Sequence, residues 1–226
     1  MIRVQKPVVS IVGAAVIVLG TASSTPVLAA STTFKFGGVV DYVDNPFDIF
    51  DESIKTGSSI SGSYTFNSKT LDSNPSDHSV GSYISLGAPH GIKFSVGGYN
   101  FGGDNVDIEV ATGDSAYGSS YGVNGDIKAF DPLNQSHPFW ISLYPAITNA
   151  FSSDALPLTP PSLKLFTGGS IGFEYNYASG FAGFSGTLNS ITVAAVPEPS
   201  PVLGTLALAA FGAAGYVFKK QKVGHK

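Results

Sequence analysis

The sequence predicts an all-β fold, a single antiparallel β-sandwich of jelly-roll or immunoglobulin-like order, and three observations carry that expectation. In the central part of the 226-residue chain, apolar residues alternate with hydroxyl-bearing and charged ones at a period of two. Glycine, asparagine and proline break the alternation at short intervals. No stretch between residues 30 and 196 carries the 3.6-residue period of an amphipathic helix. Roughly eight to ten short strands at such spacing build two packed sheets rather than parallel βαβ units.

The elements follow in chain order. Phe34 and Phe36 open the series. Ile60, Gly62, Tyr64 and Phe66 then alternate with Ser59, Ser61, Ser63 and Thr65, which puts the apolar set on one face of a strand and the hydroxyls on the other. The same rhythm returns in Val80, Ser82, Ile84 and Leu86, in Ile92, Phe94 and Val96, and in Val106, Ile108 and Val110. It continues through Phe139, Ile141 and Leu143, through Ile171, Phe173, Tyr175 and Tyr177, and through Phe184, Gly186 and Leu188 to Ile191 and Val193. The change of phase between Leu188 and Ile191 predicts a β-bulge. Asn74 with Pro75, Gly97 with Gly98, Gly102 with Gly103 and Gly168 with Gly169 are expected breaks. Asn124 and Gly125, between Tyr121, Val123 and Ile127, read as a two-residue hairpin turn. Ser152 to Pro161 reads as a long loop crossing between the sheets.

The two ends address the protein. Arg3 and Lys6 precede an apolar core from Val8 to Leu19, and Val27 and Ala29 hold the two small-residue positions. Residues 1–29 are therefore expected to be a signal peptide, cut by signal peptidase after Ala29. At the other end Pro197, Glu198 and Pro199 stand before an uncharged run, residues 201–218, long enough to cross a hydrocarbon core as one helix. Lys219, Lys220, Lys222 and Lys226 in the tail 219–226 hold that end in the cytoplasm. Residues 30–196 are thus left outside as a single ectodomain.

This C-terminal layout resembles the bacterial PEP-CTERM protein-sorting domain, in which a Pro-Glu-Pro signature, one hydrophobic helix and a short basic tail end a protein that also carries a signal peptide. The resemblance implies that an exosortase recognises Pro197, Glu198 and Pro199, cuts near them, and releases or transfers the body. It also implies an inner-membrane intermediate and a final place at the surface or in the extracellular matrix of a Gram-negative-type bacterium. Gly62 to Phe66, with Asp72, Asn74, Pro75, Gly81, Tyr83, Gly97 and Gly98, resembles an ectodomain that often precedes this signal in environmental bacteria. That ectodomain type has no assigned reaction, so the resemblance supplies no catalytic residue.

Charge narrows the partners. Without the targeting segments the body keeps six lysines, no arginine and fifteen acids, a net charge near −9. Such a surface repels nucleic acid. Cysteine is absent, which excludes disulfides and thiolate metal sites. Asp41, Asp44, Asp48, Asp51 and Glu52 form one acidic group, and Asp104, Asn105, Asp107 and Glu109 another. Either would offer oxygen ligands to Ca²⁺, although neither has the loop of an EF-hand. The plainer reading is of solvated carboxylates on an acidic protein, and no cofactor is expected. Gly118 to Gly122 fits the Gly-x-Ser-x-Gly spacing of a serine hydrolase, but in a Gly/Ser-rich β segment rather than at a strand-to-helix elbow. His78, His90 and His137 have no ligand-pair spacing and read as loop histidines.

Trp140 and Tyr144 share the strand face opposite Phe139, Ile141 and Leu143. Burial in the core is the commoner fate of tryptophan and is the expectation; an outward platform for sugar rings is the alternative. The function expected is that of an exported, exosortase-processed surface or matrix protein, non-catalytic and associated with extracellular polysaccharide. The alternative is a polysaccharide-binding module or a polysaccharide-acting enzyme with two carboxylates across a groove.

Overall fold

The computed structural model describes residues 31–115, 118–128, 137–146, 149–177 and 180–194, the side chains of residues 145 and 177 excepted. The expected signal peptide, the Pro197–Pro199 signature, the spanning helix and the basic tail lie outside the described residues.

The described residues form ten strands: β1 (Ser31–Asp44), β2 (Ser59–Asn67), β3 (Val80–Leu86), β4 (Gly91–Val96), β5 (Tyr99–Gly103), β6 (Asn105–Ala111), β7 (Ser120–Ile127), β8 (His137–Ala146), β9 (Phe166–Tyr177) and β10 (Gly180–Val193). One turn of 3₁₀ helix, Leu163–Leu165, precedes β9. All pairings are antiparallel, in the order β3-β6-β7-β8-β9-β10-β1-β2-β4-β5.

The fold is therefore all-β and antiparallel, but one sheet replaces the two expected. Its hydrogen-bonded ladder runs unbroken from β3 to β5 and curls into a half-barrel. The curl brings the β5 end against β7, where the Lys128 N–H donates to the Gly102 carbonyl at 3.1 Å. A period-two burial pattern is the same for a sheet stacked on another and for a sheet rolled onto itself, so periodicity does not distinguish them.

The core fills the inside of the curl. Phe94 lies 4.6 Å from Phe101 and 4.7 Å from Phe139 between ring centroids, and Phe101 lies 4.8 Å from Phe173. Offset and tilted rings of this kind add to the burial of their large apolar area. Phe50, from the β1–β2 loop, packs at 6.4 Å from Phe173 and 6.3 Å from Phe184 and plugs one end. Phe151, from the long β8–β9 loop, reaches Tyr121 and Phe166 and covers the other. That loop extends as far as β3, where Tyr83 Oη donates to the Asp154 carbonyl at 2.9 Å.

Several local expectations hold and others are corrected. Gly37 pairs with Ser190 and Gly38 with Leu188, so Asn189 is the extra residue of the bulge expected between Leu188 and Ile191. A second bulge falls at Asp41, since Val40 pairs with Gly186 and Tyr42 with Ser185. Gly97 and Gly98 form the tight β4–β5 turn with φ of 57° and 89°, values open to glycine at little cost.

Asn124 and Gly125, by contrast, lie inside β7, paired with Trp140 and Phe139. Gly125 is there for space: a Cβ would stand 2.5 Å from Ile92 Cδ1 of β4, across the curl, and 3.0 Å from the Asn105 carbonyl of the adjacent β6. Gly102 and Gly103 end β5, and Gly168 and Gly169 lie within β9 rather than breaking it. In β3 the inward set is Gly81, Tyr83 and Ser85, while Ile84 and Leu86 are exposed, the reverse of the phase expected. Ser85 Oγ accepts the Asn67 N–H and meets Thr70 Oγ1 at 2.9 Å, which satisfies a hydroxyl at an inward position.

Candidate functional site

The residues inside the curl are consumed by packing, so side chains available for chemistry stand on its convex face or in loops. Register fixes the convex rows. One runs Ile84, Asp107, Asn124, Trp140, Gly172, Ser185, Tyr42 across β3, β6, β7, β8, β9, β10 and β1. The next holds Asp126 beside Pro138, and Glu174, Gly183 and Asp44.

Trp140 is not a core residue. It is half-buried and outward, between inward Phe139 and Ile141, which are 1% and 0% exposed. The indole lies across Gly172, where a Cβ would stand 2.5 Å from Cε2 and 2.7 Å from Cη2. Any side chain at 172 would lift the ring off the sheet. The expectation of burial fails because tryptophan's apolar area is here satisfied from one side by a bare backbone floor. Tyr144 stands on the same face four residues on, 53% exposed, opposite Gly168.

Three shallow hollows adjoin this strip. One of about 460 Å³ is lined by Ile84, Asn105, Asp107, Asn124, Asp126 and Trp140 among others. A second, about 560 Å³, lies between Glu109, Gly122, Asn124, Ser142 and Tyr144. The third, about 140 Å³, adjoins Trp140 on the β10 side and is rimmed by Tyr42, Asp44, Glu174, Phe181 and Ser185. Tyr42 and Phe181 are 62% and 48% exposed. The strip is thus a trough of aromatic rims, glycine floors and carboxylates, and strands β6 to β10 contain no lysine or arginine.

The acidic groups expected to suit Ca²⁺ do not converge. Asp41 accepts the Thr187 hydroxyl at 2.7 Å, while Asp44 borders the small hollow. Asp48 sits at φ 53° in the β1–β2 loop. Asp51 caps the Ser53 N–H at 2.8 Å, and hydrogen bonds from Ser53 hold its carboxyl below the usual carboxylate range. Asp104 pairs with Lys128 Nζ at 3.0 Å, and that hydrogen bond and charge lower its pKa; Asp107 accepts Ser82 Oγ at 3.2 Å. Among the described residues no three His, Asp or Glu side chains gather as a metal site.

Ser120 opens β7, so the Gly-x-Ser-x-Gly segment leads into a strand and no nucleophile elbow forms. His90 is the loop residue expected, its Nδ1 3.3 Å from the Leu86 carbonyl. His137 is corrected: it is fully buried at the start of β8, stacked on Tyr175 at 4.2 Å, and its Nδ1 accepts the Asn176 N–H at 3.1 Å.

Sequence reading missed Tyr42, Phe181 and Glu174 as partners of Trp140. The available signal was phase. Phe181, Gly183 and Ser185 alternate against buried Ala182 and Phe184, which marks an outward aromatic beside an outward glycine. Tyr42 was hidden by the bulge at Asp41, which shifts the outward set by one residue. No family model matches this chain, and neither a curated protein nor a solved structure matches it.

Proposed function

We propose that this is an exported surface or matrix protein, sorted through residues 197–226 and processed by an exosortase, whose convex face holds extracellular polysaccharide without cleaving it. The observation that carries the binding part is Trp140, an aromatic ring laid over Gly172 on an open sheet face beside hollows edged with carboxylates. Aromatic faces take the apolar face of a sugar ring, and side-chain oxygens take its hydroxyls. What supports the sorting part is the resemblance of the Pro197-Glu198-Pro199 tail together with the signal-peptide character of residues 1–29.

The sequence has one tryptophan, so emission excited selectively from tryptophan reports this face alone. The emission is expected to be red-shifted, quenched by acrylamide, and protected by polysaccharide from the producing cells. Trp140→Ala is expected to abolish retention on that polysaccharide while costing less than the ~3–5 kcal/mol of a buried aromatic. A blue-shifted, unquenched emission, or unchanged retention in the variant, overturns the reading. For sorting, replacing Pro197, Glu198 and Pro199 by alanine is expected to trap the chain in the inner membrane; unchanged release shows the signature to be incidental.

One observation favours a second reading, hydrolysis. Glu174 and Asp44 both pair with Gly183, which sets them two strands apart, about 10 Å between backbones. Side chains set on backbones so far apart can reach the spacing of the two carboxylates in inverting glycosidases, about 6.5–9.5 Å between carboxyl groups. New reducing ends released from the polysaccharide, and lost in Glu174→Gln, would establish it.

A further inference from the structure

The small hollow beside Trp140 carries chemistry that ring stacking alone does not use. Its floor at Gly183 is bare backbone, and Glu174 and Asp44 pair with that glycine from either side and line the hollow. Trp140, Tyr42 and Phe181 supply the apolar rim. At about 140 Å³ it is comparable in size with one pyranose ring. The field around it is negative: Asp107, Glu109 and Asp126 stand on the same convex face, and no cation is contributed by β6 to β10. Anionic sugars are repelled from such a face, and a neutral sugar offers the two carboxylates only uncharged hydroxyl donors, which leaves their charge unmatched.

We propose that the hollow seats an amino-sugar residue, its ring against Trp140 and its protonated amine between Asp44 and Glu174, and that the glycan held by this protein is a hexosamine polymer with free amines. This rests on the glycan-platform reading and adds the class of sugar. The amine would donate charge-assisted hydrogen bonds to the two carboxylates, which are stronger than the same bonds to neutral groups. Selection against uronic-acid polymers follows from the same two side chains, by charge repulsion.

The experiment titrates the full chain, held in mild detergent, with three hexamers of matched length: glucosamine, N-acetylglucosamine and galacturonic acid. Trp140 emission reads binding at the face. The glucosamine hexamer is expected to shift the emission saturably and to bind at least tenfold more tightly than the N-acetylated one. The galacturonate hexamer is expected to produce no shift. Asp44→Asn and Glu174→Gln are each expected to weaken glucosamine binding about two- to fivefold, the range for a partly exposed ion pair. Together they are expected to erase the preference over the N-acetylated hexamer while leaving the emission response to both. Asp114→Asn, in the β6–β7 loop away from the hollow, is the control for net charge.

Equal binding of the amino and N-acetylated hexamers overturns the amine assignment and leaves the platform reading standing. An equal loss in Asp114→Asn overturns it as well, since the attraction is then one of overall charge. No emission response to any hexamer or to native polysaccharide overturns the platform reading itself.

Discussion

Tyr64 of β2 and Tyr121 of β7 face each other across the inside of the curl, five places apart in the sheet, and their hydroxyls meet at 2.9 Å. Both residues are sealed from solvent, at 0% and 1% exposure. Each hydroxyl is the other's partner, so Tyr64→Phe leaves the Tyr121 hydroxyl buried and unmatched, and Tyr121→Phe does the reverse. A buried polar group stripped of its partner costs about 1–3 kcal/mol. The double variant removes both hydroxyls and with them the penalty, so it should stand close to the parent. The four proteins form a cycle whose coupling energy equals the sum of the two single losses, about 2–6 kcal/mol in magnitude. Urea unfolding followed by circular dichroism measures it, with equal m-values showing that the same surface is exposed in all four. Additive losses, with the double variant the least stable of the set, would refute the reasoning, because they would mean that the hydroxyls do not serve each other.

Burial raises the pKa of both phenols above their ordinary value near 10, desolvation being the leading cause in each. The unfolded chain therefore loses these protons first, so stability is complete below pH ~10 and falls above it by up to about 1.4 kcal/mol per unit for each tyrosine; a melting curve against pH for the parent and the double Phe variant checks this, the variant losing less. Phe94, in contact with four other phenylalanine rings, is expected to cost about 3–5 kcal/mol when cut to alanine, readable as a large fall in Tm. Gly125→Ala drives a methyl against Ile92 and the Asn105 carbonyl and is expected to lose about 1–3 kcal/mol, whereas Gly122→Ala, whose nearest neighbour would be Glu109 Cβ at 3.6 Å, should be neutral or slightly stabilising. Equal losses at the two glycines would contradict the close approach assigned to position 125.

The strands were legible in the sequence because burial here follows alternation residue by residue: Val106, Ile108 and Val110 are all 0% exposed and Glu109 between them faces water. What alternation does not encode is where a sheet bends. Glycines at 103 and 125 mark points where opposite walls of the curl touch, and read in isolation they look like turns. β5, with Asn100, Gly102 and Gly103 among its five residues, offers too little apolar pattern to be seen as a strand. In β3 the apolar pair Ile84 and Leu86 suggested the inward face, but Tyr83 took it by donating its hydroxyl to the long loop. Of the aromatic strip, Trp140 and Tyr144 were placed on one face by spacing alone. Their neighbours come from β1 and β10, about a hundred residues before and forty after Trp140, and only pairing brings them together.

The residues that carry the sequence resemblance, Gly62, Gly81, Gly97 and Asp72 among them, serve as scaffold. Gly62 leaves room for the Phe36 ring and the Lys93 carbonyl, Gly81 for the Asp154 carbonyl, and Gly97 for Ser53. Asp72 accepts the Asn74 and Ser82 N–H groups at 2.9 Å each and ties the β2–β3 loop down. None of these explains the convex face, where stability argues against what is found. Glycine inside a strand costs about 0.5–1 kcal/mol relative to alanine, and an aromatic left half in water forgoes part of its burial. Gly172 and Gly183 lie on the adjacent strands β9 and β10, next to Trp140, Phe181 and Tyr42. Gly183 is set by the scaffold, since a Cβ there would run into the Phe173 carbonyl of β9, whereas at Gly172 a Cβ would meet only the Trp140 ring. The costs left to explain are Gly172 and the half-exposed rings around it, and both would be offset if the proposed sugar lay on them.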